Sequence, residues 1–206
     1  DGSIYITAEE RDYVCLYRFD LKKRDFTKIN VPIEVITSMD YAANQLTAVL
    51  QGSSISTPPK LYALNLTSGK LELLMAPKEQ QLEDVEFGKS EEWNFVNESG
   101  TTIYGRIYYP VGYEPTKKYP LIVYYYGGTS PTGRDFGGRY PKNIWAAEGY
   151  MIYVLQPSGA TGFGQDFSAL HVNGWGRDAI DDIIDGTKKF LASHPSADAD
   201  NVGCIG

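Results

Sequence analysis

Two unbroken apolar runs, Leu121-Ile122-Val123-Tyr124-Tyr125-Tyr126 and Met151-Ile152-Tyr153-Val154-Leu155, constrain this chain more than any other feature. A strand with water on one face alternates apolar and polar residues. A short run without alternation suits a strand buried on both faces, the normal condition in a parallel sheet. Parallel strands need crossovers. The segment between the runs supplies a short helix near Pro141 to Glu148, with proline in its first turn and Gly149 ending it. A longer amphipathic helix, Asp178 to Leu191, follows, with Ile180, Ile183, Ile184, Thr187, Phe190 and Leu191 on one side. Its early acids and late Lys188-Lys189 suit the helix dipole. Val202 to Ile205 reads as a further buried strand. After an antiparallel start, Glu92–Val96 and Thr101–Tyr109 around the turn Asn97-Glu98-Ser99-Gly100, the pattern predicts an α/β layer over residues 92–206.

Residues 1–77 follow another rule, an internal repeat. Leu16-Tyr17-Arg18-Phe19-Asp20-Leu21 followed by Phe26-Thr27-Lys28-Ile29 matches Leu61-Tyr62-Ala63-Leu64-Asn65-Leu66 followed by Leu71-Glu72-Leu73-Leu74, an offset of 45 residues in both halves (16 to 61, 26 to 71). Each copy is a β-hairpin of two alternating strands about a polar turn. An upstream strand recurs as Ser3–Thr7 and Gln45–Val49 with an offset of 42 (3 to 45). Four strands per roughly 40 to 45 residues is the blade of a β-propeller. A generic antiparallel sandwich uses the same hairpins, and the period favours the propeller. Two blades do not close a ring, so this end reads as the C-terminal part of one. Residues 78–91 lose the alternation, turn polar and read as a linker.

Composition excludes several classes. With 42% hydrophobic and 22% charged residues the chain is an ordinary globular sequence. A net charge of −7 leaves no basic stripe for a phosphate backbone, which argues against nucleic acid as partner. No apolar run approaches the roughly 20 residues of a membrane-spanning helix. Cys15 and Cys204 lie in different predicted domains without a CxxC or a histidine cluster, so buried free thiols are expected and no cofactor or metal is called for. Asp178, Asp181, Asp182 and Asp185 share one helix face, but no ligands converge on it from other segments; a solvated face is expected, with Asp182 in a structural contact. Oligomeric state and compartment are left open.

Candidate chemistry gathers after the first apolar run. Tyr119-Pro120-Leu121-Ile122-Val123-Tyr124-Tyr125-Tyr126-Gly127-Gly128 resembles the third strand and oxyanion loop of the prolyl oligopeptidase family, serine peptidases with a β-propeller ahead of an α/β-hydrolase domain. Three further pieces follow in the family's order: Gly162-Phe163-Gly164-Gln165-Asp166-Phe167; Trp175-Gly176 leading to Asp181-Asp182; and Val202-Gly203-Cys204-Ile205-Gly206. The last resembles the entry to the nucleophile elbow G-x-S-x-G. The resemblance implies an internal fragment: 1–77 as about two propeller blades, 78–91 as linker, and 92–206 as the first part of the hydrolase domain. The serine would then stand two residues beyond Gly206, with the triad outside the chain and the fragment inactive by itself. Such a fragment, with a central strand left at an edge, is expected to associate. A Gly or Ala where the serine is expected would favour a non-catalytic propeller-type binding or scaffold protein, and an esterase on the same fold is a further alternative.

Within the branch resembling dipeptidyl-peptidase IV, a tyrosine at the end of this strand helps form the oxyanion hole, and the match falls on Tyr126. A phenol shielded from water can donate a hydrogen bond to charge developing on a scissile carbonyl. Gly127 and Gly128 either make a turn or let backbone approach a short peptide substrate. Arg134 and Arg139 are expected to be solvated loop arginines. Where many members carry Arg-Gly after the fourth strand, this chain has Pro157-Ser158-Gly159, so the arginine's salt bridge is missing. His171 and His194 precede any elbow serine and are expected to be structural; Ser158 and Ser168 have no elbow around them. Asn65-Leu66-Thr67 and Asn97-Glu98-Ser99 match the N-glycosylation sequon, which matters only in a secreted eukaryotic protein.

Overall fold

The computed structural model describes residues 2–44, 46–174 and 176–206. It divides into two compact units. One holds the chain up to Val85 together with Gly133–Gly138; the other holds Glu86–Thr132 and Arg139–Gly206.

The first unit is two antiparallel meanders. Strands β1 (Ser3–Glu10), β2 (Tyr13–Asp20) and β3 (Asp25–Ile29) form one; β4 (Val35–Tyr41), β5 (Thr47–Ser54), β6 (Thr57–Asn65) and β7 (Leu71–Met75) form the other. They join through a single parallel pair, Val14 with Val35, and pack on a shared core of Leu16, Ile33, Ile36, Ala48, Leu50 and Leu64. The repeat extends to the turn chemistry. Asp20 Oδ1 accepts from the amides of Lys22 and Lys23 (2.9 and 3.0 Å) while Arg24 N–H donates to Asp20 C=O (2.8 Å) at φ 55°. Forty-five positions on, Asn65 Oδ1 accepts from Thr67 and Ser68 (3.0 and 2.8 Å) while Gly69 N–H donates to Asn65 C=O (2.8 Å) at φ 72°. The same Asx turn thus sets the register of both hairpins. Gln45, the first residue of the second upstream strand in the repeat, lies outside the described residues. One expectation fails here: Arg134 is buried, not solvated. Its Nε stands 3.0 Å from Asp12 Oδ1 and its guanidinium 4.1 Å over the Tyr13 ring, because the 133–138 segment packs in this unit and a buried guanidinium requires carboxylate partners.

The second unit is a mixed sheet. Its strands are β8 (Ser90–Glu92), β9 (Phe95–Val96), β10 (Thr102–Tyr108), β11 (Tyr119–Tyr124), β12 (Met151–Gln156) and β13 (Ala197–Ile205), in the order β13-β11-β12-β10-β8 with β9 on β10. β11 runs parallel to both β12 and β13, while β10 is antiparallel to β12. All six residues of β12 are buried, as its unbroken apolar run predicts. β11 departs in two ways: it ends at Tyr124, and only Leu121 and Val123 are fully buried, Ile122 and Tyr124 being half-buried. β13 departs further. Among the described residues it pairs only with β11, the edge position expected of such a fragment, and with Val202 and Cys204 exposed neither the buried strand nor the buried second thiol is found.

Helices α1 (Lys142–Ala147), α2 (Gln165–Ala169) and α3 (Arg177–Ser193) complete the unit. Gly149 at φ 93° follows α1, the left-handed stop that glycine makes easily. α3 is rotated from its predicted face. Ala179, Asp182, Gly186 and Phe190 point inward at 3- and 4-residue spacing, whereas Ile180 and Ile184 are about half exposed. The small Ala179 and Gly186 let the helix approach closely: a Cβ on Gly186 would stand 2.7 Å from Phe95 Cε1 and 3.1 Å from Tyr153 Oη. Phe190 stacks on Tyr153 (4.6 Å between centroids) and on His194 (4.2 Å), and Trp93 meets all three edge-on. His194, half-buried, is therefore held by ring packing, the structural role expected.

Candidate functional site

In a parallel sheet the residues that follow the strands' carboxyl ends gather along one edge, where the loops are free to vary and ligands bind. Here that edge carries Tyr125 and Tyr126 after β11, Pro157 to Gly164 after β12, and Gly206 after β13. The predicted Tyr126 lies two residues past the end of its strand and is half exposed. Its ring lies against Gly128, where a Cβ would come within 2.6 Å of Cε1 and 3.0 Å of the hydroxyl oxygen. Gly128 thus makes room for the phenol. Gly127 has open space and no positive φ, so nothing local requires a glycine there. Tyr124 is the last residue of β11. Its ring packs on Tyr140 and Trp145, with the Lys142 ammonium 4.2 Å above it.

Tyr125, which the sequence reading assigned no role, joins two ends of this edge. Its amide donates to Ile205 C=O (3.1 Å), and its ring covers Gly206, where a Cβ would stand 2.6 Å from Cε2. Burial raises its phenol above the ordinary value, and the Cys204 thiol beside it adds to the shift.

The loop after Tyr126 is tied down at two points. Thr161 N–H donates to Thr129 C=O (2.7 Å). At Thr132 the Gln156 carboxamide makes a two-way pair: Oε1 accepts from Thr132 N–H and Nε2 donates to Thr132 C=O, both at 2.8 Å. Arg106 Nη2 donates to the same carbonyl (3.1 Å), and Arg106, Thr132 and Gln156 are all buried.

Asp182 on α3 is buried against the Pro157-Ser158-Gly159 segment. Its Oδ2 accepts from the Ser158 amide (2.8 Å) and its Oδ1 from Asn97 Nδ2 (2.7 Å), the structural contact the sequence reading expected. Asp178, Asp181 and Asp185 line an open groove of about 640 Å³ with Glu98, Ser99 and Lys188. Among the described residues no three His, Cys, Asp or Glu side chains form a group able to hold a metal ion. Asn97 Nδ2 donates to Asp182, and Asn65 Oδ1 caps its turn. Trp175 lies outside the described residues.

Taken together, the second unit is an α/β protein of the class whose parallel strands deliver their working residues to one loop-rich edge. A family profile narrows the class: residues 139–206 match the prolyl oligopeptidase family. It is 29% identical over 138 residues to dipeptidyl-peptidase 5 of Aspergillus fumigatus, covering 66% of this chain and 19% of that one. It is 27% identical over 189 residues to dipeptidyl-peptidase 5 of Trichophyton schoenleinii, covering 89% and 26%. Among solved structures, an acylaminoacyl peptidase of Pyrococcus horikoshii superposes with a TM-score of 0.84 at 23% identity, over 99% of this chain and 31% of that one. Dipeptidyl peptidase 4 of Porphyromonas gingivalis superposes at 0.82 and 19% identity, over 98% and 29%. The chain therefore spans about a fifth to a third of the lengths of these proteins.

Proposed function

We propose that this chain contributes the charge-stabilising side of a serine-peptidase site acting on short peptides. The serine attacks the scissile carbonyl with help from a histidine held by an aspartate. In hydrolase chain order all three follow the strand that leads into the elbow, which here is β13. The negative charge that gathers on the carbonyl oxygen is met by the Tyr126 hydroxyl, with the backbone around Gly127 and Gly128 lying along the substrate. The observation that carries this reading is the Tyr126 phenol beyond β11, resting on a glycine that leaves it room, in a chain similar to dipeptidyl-peptidase 5.

The same reading assigns residues 1–77 to two blades of a propeller, 78–91 to the linker and 92–206 to the first part of the hydrolase domain. The two meanders with identical Asx turns 45 residues apart support the first assignment. A single oxyanion donor typically contributes about 3–4 kcal/mol, or 10²–10³ in kcat. In the full-length protein, Tyr126→Phe should lower kcat for a chromogenic dipeptide substrate by that factor with little change in KM. Unchanged kcat would refute the role. Turnover by residues 1–206 alone would refute the placement of the nucleophile outside them.

A further inference from the structure

We propose that Gln156 is a positioning residue for Tyr126, acting through the loop that leaves β11. The proposal rests on reading Tyr126 as the oxyanion donor. An exposed phenol at a strand end has two rotatable bonds, and its hydroxyl lands where the following backbone lets the ring lie. Here the ring lies on Gly128, within a seven-residue stretch, 126–132, whose far end is clamped. The clamp is Gln156. Standing at the last position of β12, it is 2% exposed, and its carboxamide satisfies both the N–H and the C=O of Thr132. This is the pairing that a neighbouring strand would make, supplied by one side chain. Position 156 is right for the task because β12 is parallel to β11, so its last side chain lies at the same edge as the loop.

Two neighbours reinforce the clamp. Arg106 on β10, opposite Val154, donates to the same Thr132 carbonyl, and Thr161 holds Thr129. A buried two-way pair is stiff, since breaking it strands polar groups away from water. The loop is thus held by groups on β10, on β12 and in the segment after β12. Catalytic geometry is sensitive to this kind of support: a misplacement of about 1 Å can cost on the order of 100-fold in rate.

A double-mutant cycle in the full-length protein, with steady-state kinetics on a chromogenic dipeptide, tests this. Gln156→Leu, which keeps the bulk and removes both hydrogen bonds, should lower kcat about 10- to 100-fold with KM changed less than about twofold. In a Tyr126→Phe background the same substitution should lower kcat less than about threefold further, because a donor already lost cannot be misplaced. If Tyr126→Phe lowers kcat but Gln156→Leu costs as much in its presence as in its absence, the loop serves stability alone and this proposal is overturned. If Tyr126→Phe leaves kcat unchanged, the oxyanion reading itself has failed, and the proposal falls with it. Should Gln156→Leu not fold, Gln156→Glu keeps the acceptor for Thr132 N–H, sets an oxygen against Thr132 C=O and adds an acid beside Arg106. The same dependence on Tyr126 is expected of it, and independent losses would overturn the proposal equally.

Discussion

Asp182→Asn removes one charge and almost no volume, and the structure predicts that it is costly. Asp182 is 2% exposed, and each carboxylate oxygen takes one donor, Asn97 Nδ2 at 2.7 Å and the Ser158 amide at 2.8 Å. An amide at this position keeps one acceptor and turns the other into NH2, which faces a donor whichever way it is flipped. Asn97 cannot relieve the conflict by turning its own amide. Its Oδ1 already accepts from Ser99 N–H (3.1 Å), Ser99 Oγ–H (2.8 Å) and Thr101 N–H (2.8 Å), which together hold the β9–β10 hairpin turn. One hydrogen bond to a charged acceptor, worth about 1.5–3 kcal/mol, is lost and a buried donor is left unmatched, so the expected loss is about 2–4 kcal/mol. Asp182→Ala leaves two donors unmatched and should cost about 2–5 kcal/mol. Asp181→Asn, one residue away and exposed, should change stability by less than about 0.5 kcal/mol. Urea unfolding of the full-length protein, followed by tryptophan fluorescence, measures all three. Asp182→Asn within 0.5 kcal/mol of the parent, or no better separated from Asp181→Asn than that, would refute the reasoning.

Three further outcomes follow from buried or paired groups. Burial pushes the Tyr153 phenol well above its ordinary value, with Asp182 and Asp185 adding to the shift, and its hydroxyl has no hydrogen-bond partner among the described residues. Tyr153→Phe should therefore leave stability unchanged or raise it by up to about 1 kcal/mol; a loss above that in urea unfolding would show that the hydroxyl is satisfied. Gly186→Ala in the α3 interior would ordinarily gain about 1 kcal/mol of helix propensity. With Phe95 Cε1 2.7 Å from the new Cβ, it should instead destabilise by about 1–3 kcal/mol, and a higher melting temperature would refute the close packing. The hydrogen bonds from Lys89 and then Tyr109 hold the Glu91 carboxyl below its ordinary value of 4.5. A depressed folded-state value stabilises the protein above the unfolded value and loses that contribution as pH falls through the folded one. The stability gap between the parent and Glu91→Gln should be full at about pH 6 and shrink below pH 4.5, and a gap that widens in acid would contradict the sign.

Much of the architecture is legible in sequence because it rests on short-range rules. Alternation marked the two hairpins, the 45-residue offset paired them, and the unbroken run at 151–155 announced a buried strand. The site was half legible. Tyr126 could be placed at a strand end by resemblance to a family, but Gln156 could not be connected with Thr132, 24 residues away, since only the parallel pairing of β11 with β12 brings them together. One signal was available: a glutamine ending an otherwise apolar strand is a polar group in need of a buried partner. Arg134 was misjudged for the same reason, its partner Asp12 standing 122 positions earlier in the chain (134 minus 12).

The α3 face shows where the division falls. Amphipathicity by residue type determined that 178–191 is a helix and gave it an apolar side. Which side faces inward was decided by the sheet, where Ala179 and Gly186 allow close approach and where an aspartate can be buried because Asn97 and the Ser158 amide wait for it. Sequence alone determined the repeated hairpins, the buried run of β12, the helices α1 and α3 and their order, all consequences of local periodicity. Tertiary structure decided which polar groups are buried, because burying a charge depends on partners that the chain brings together only when it folds.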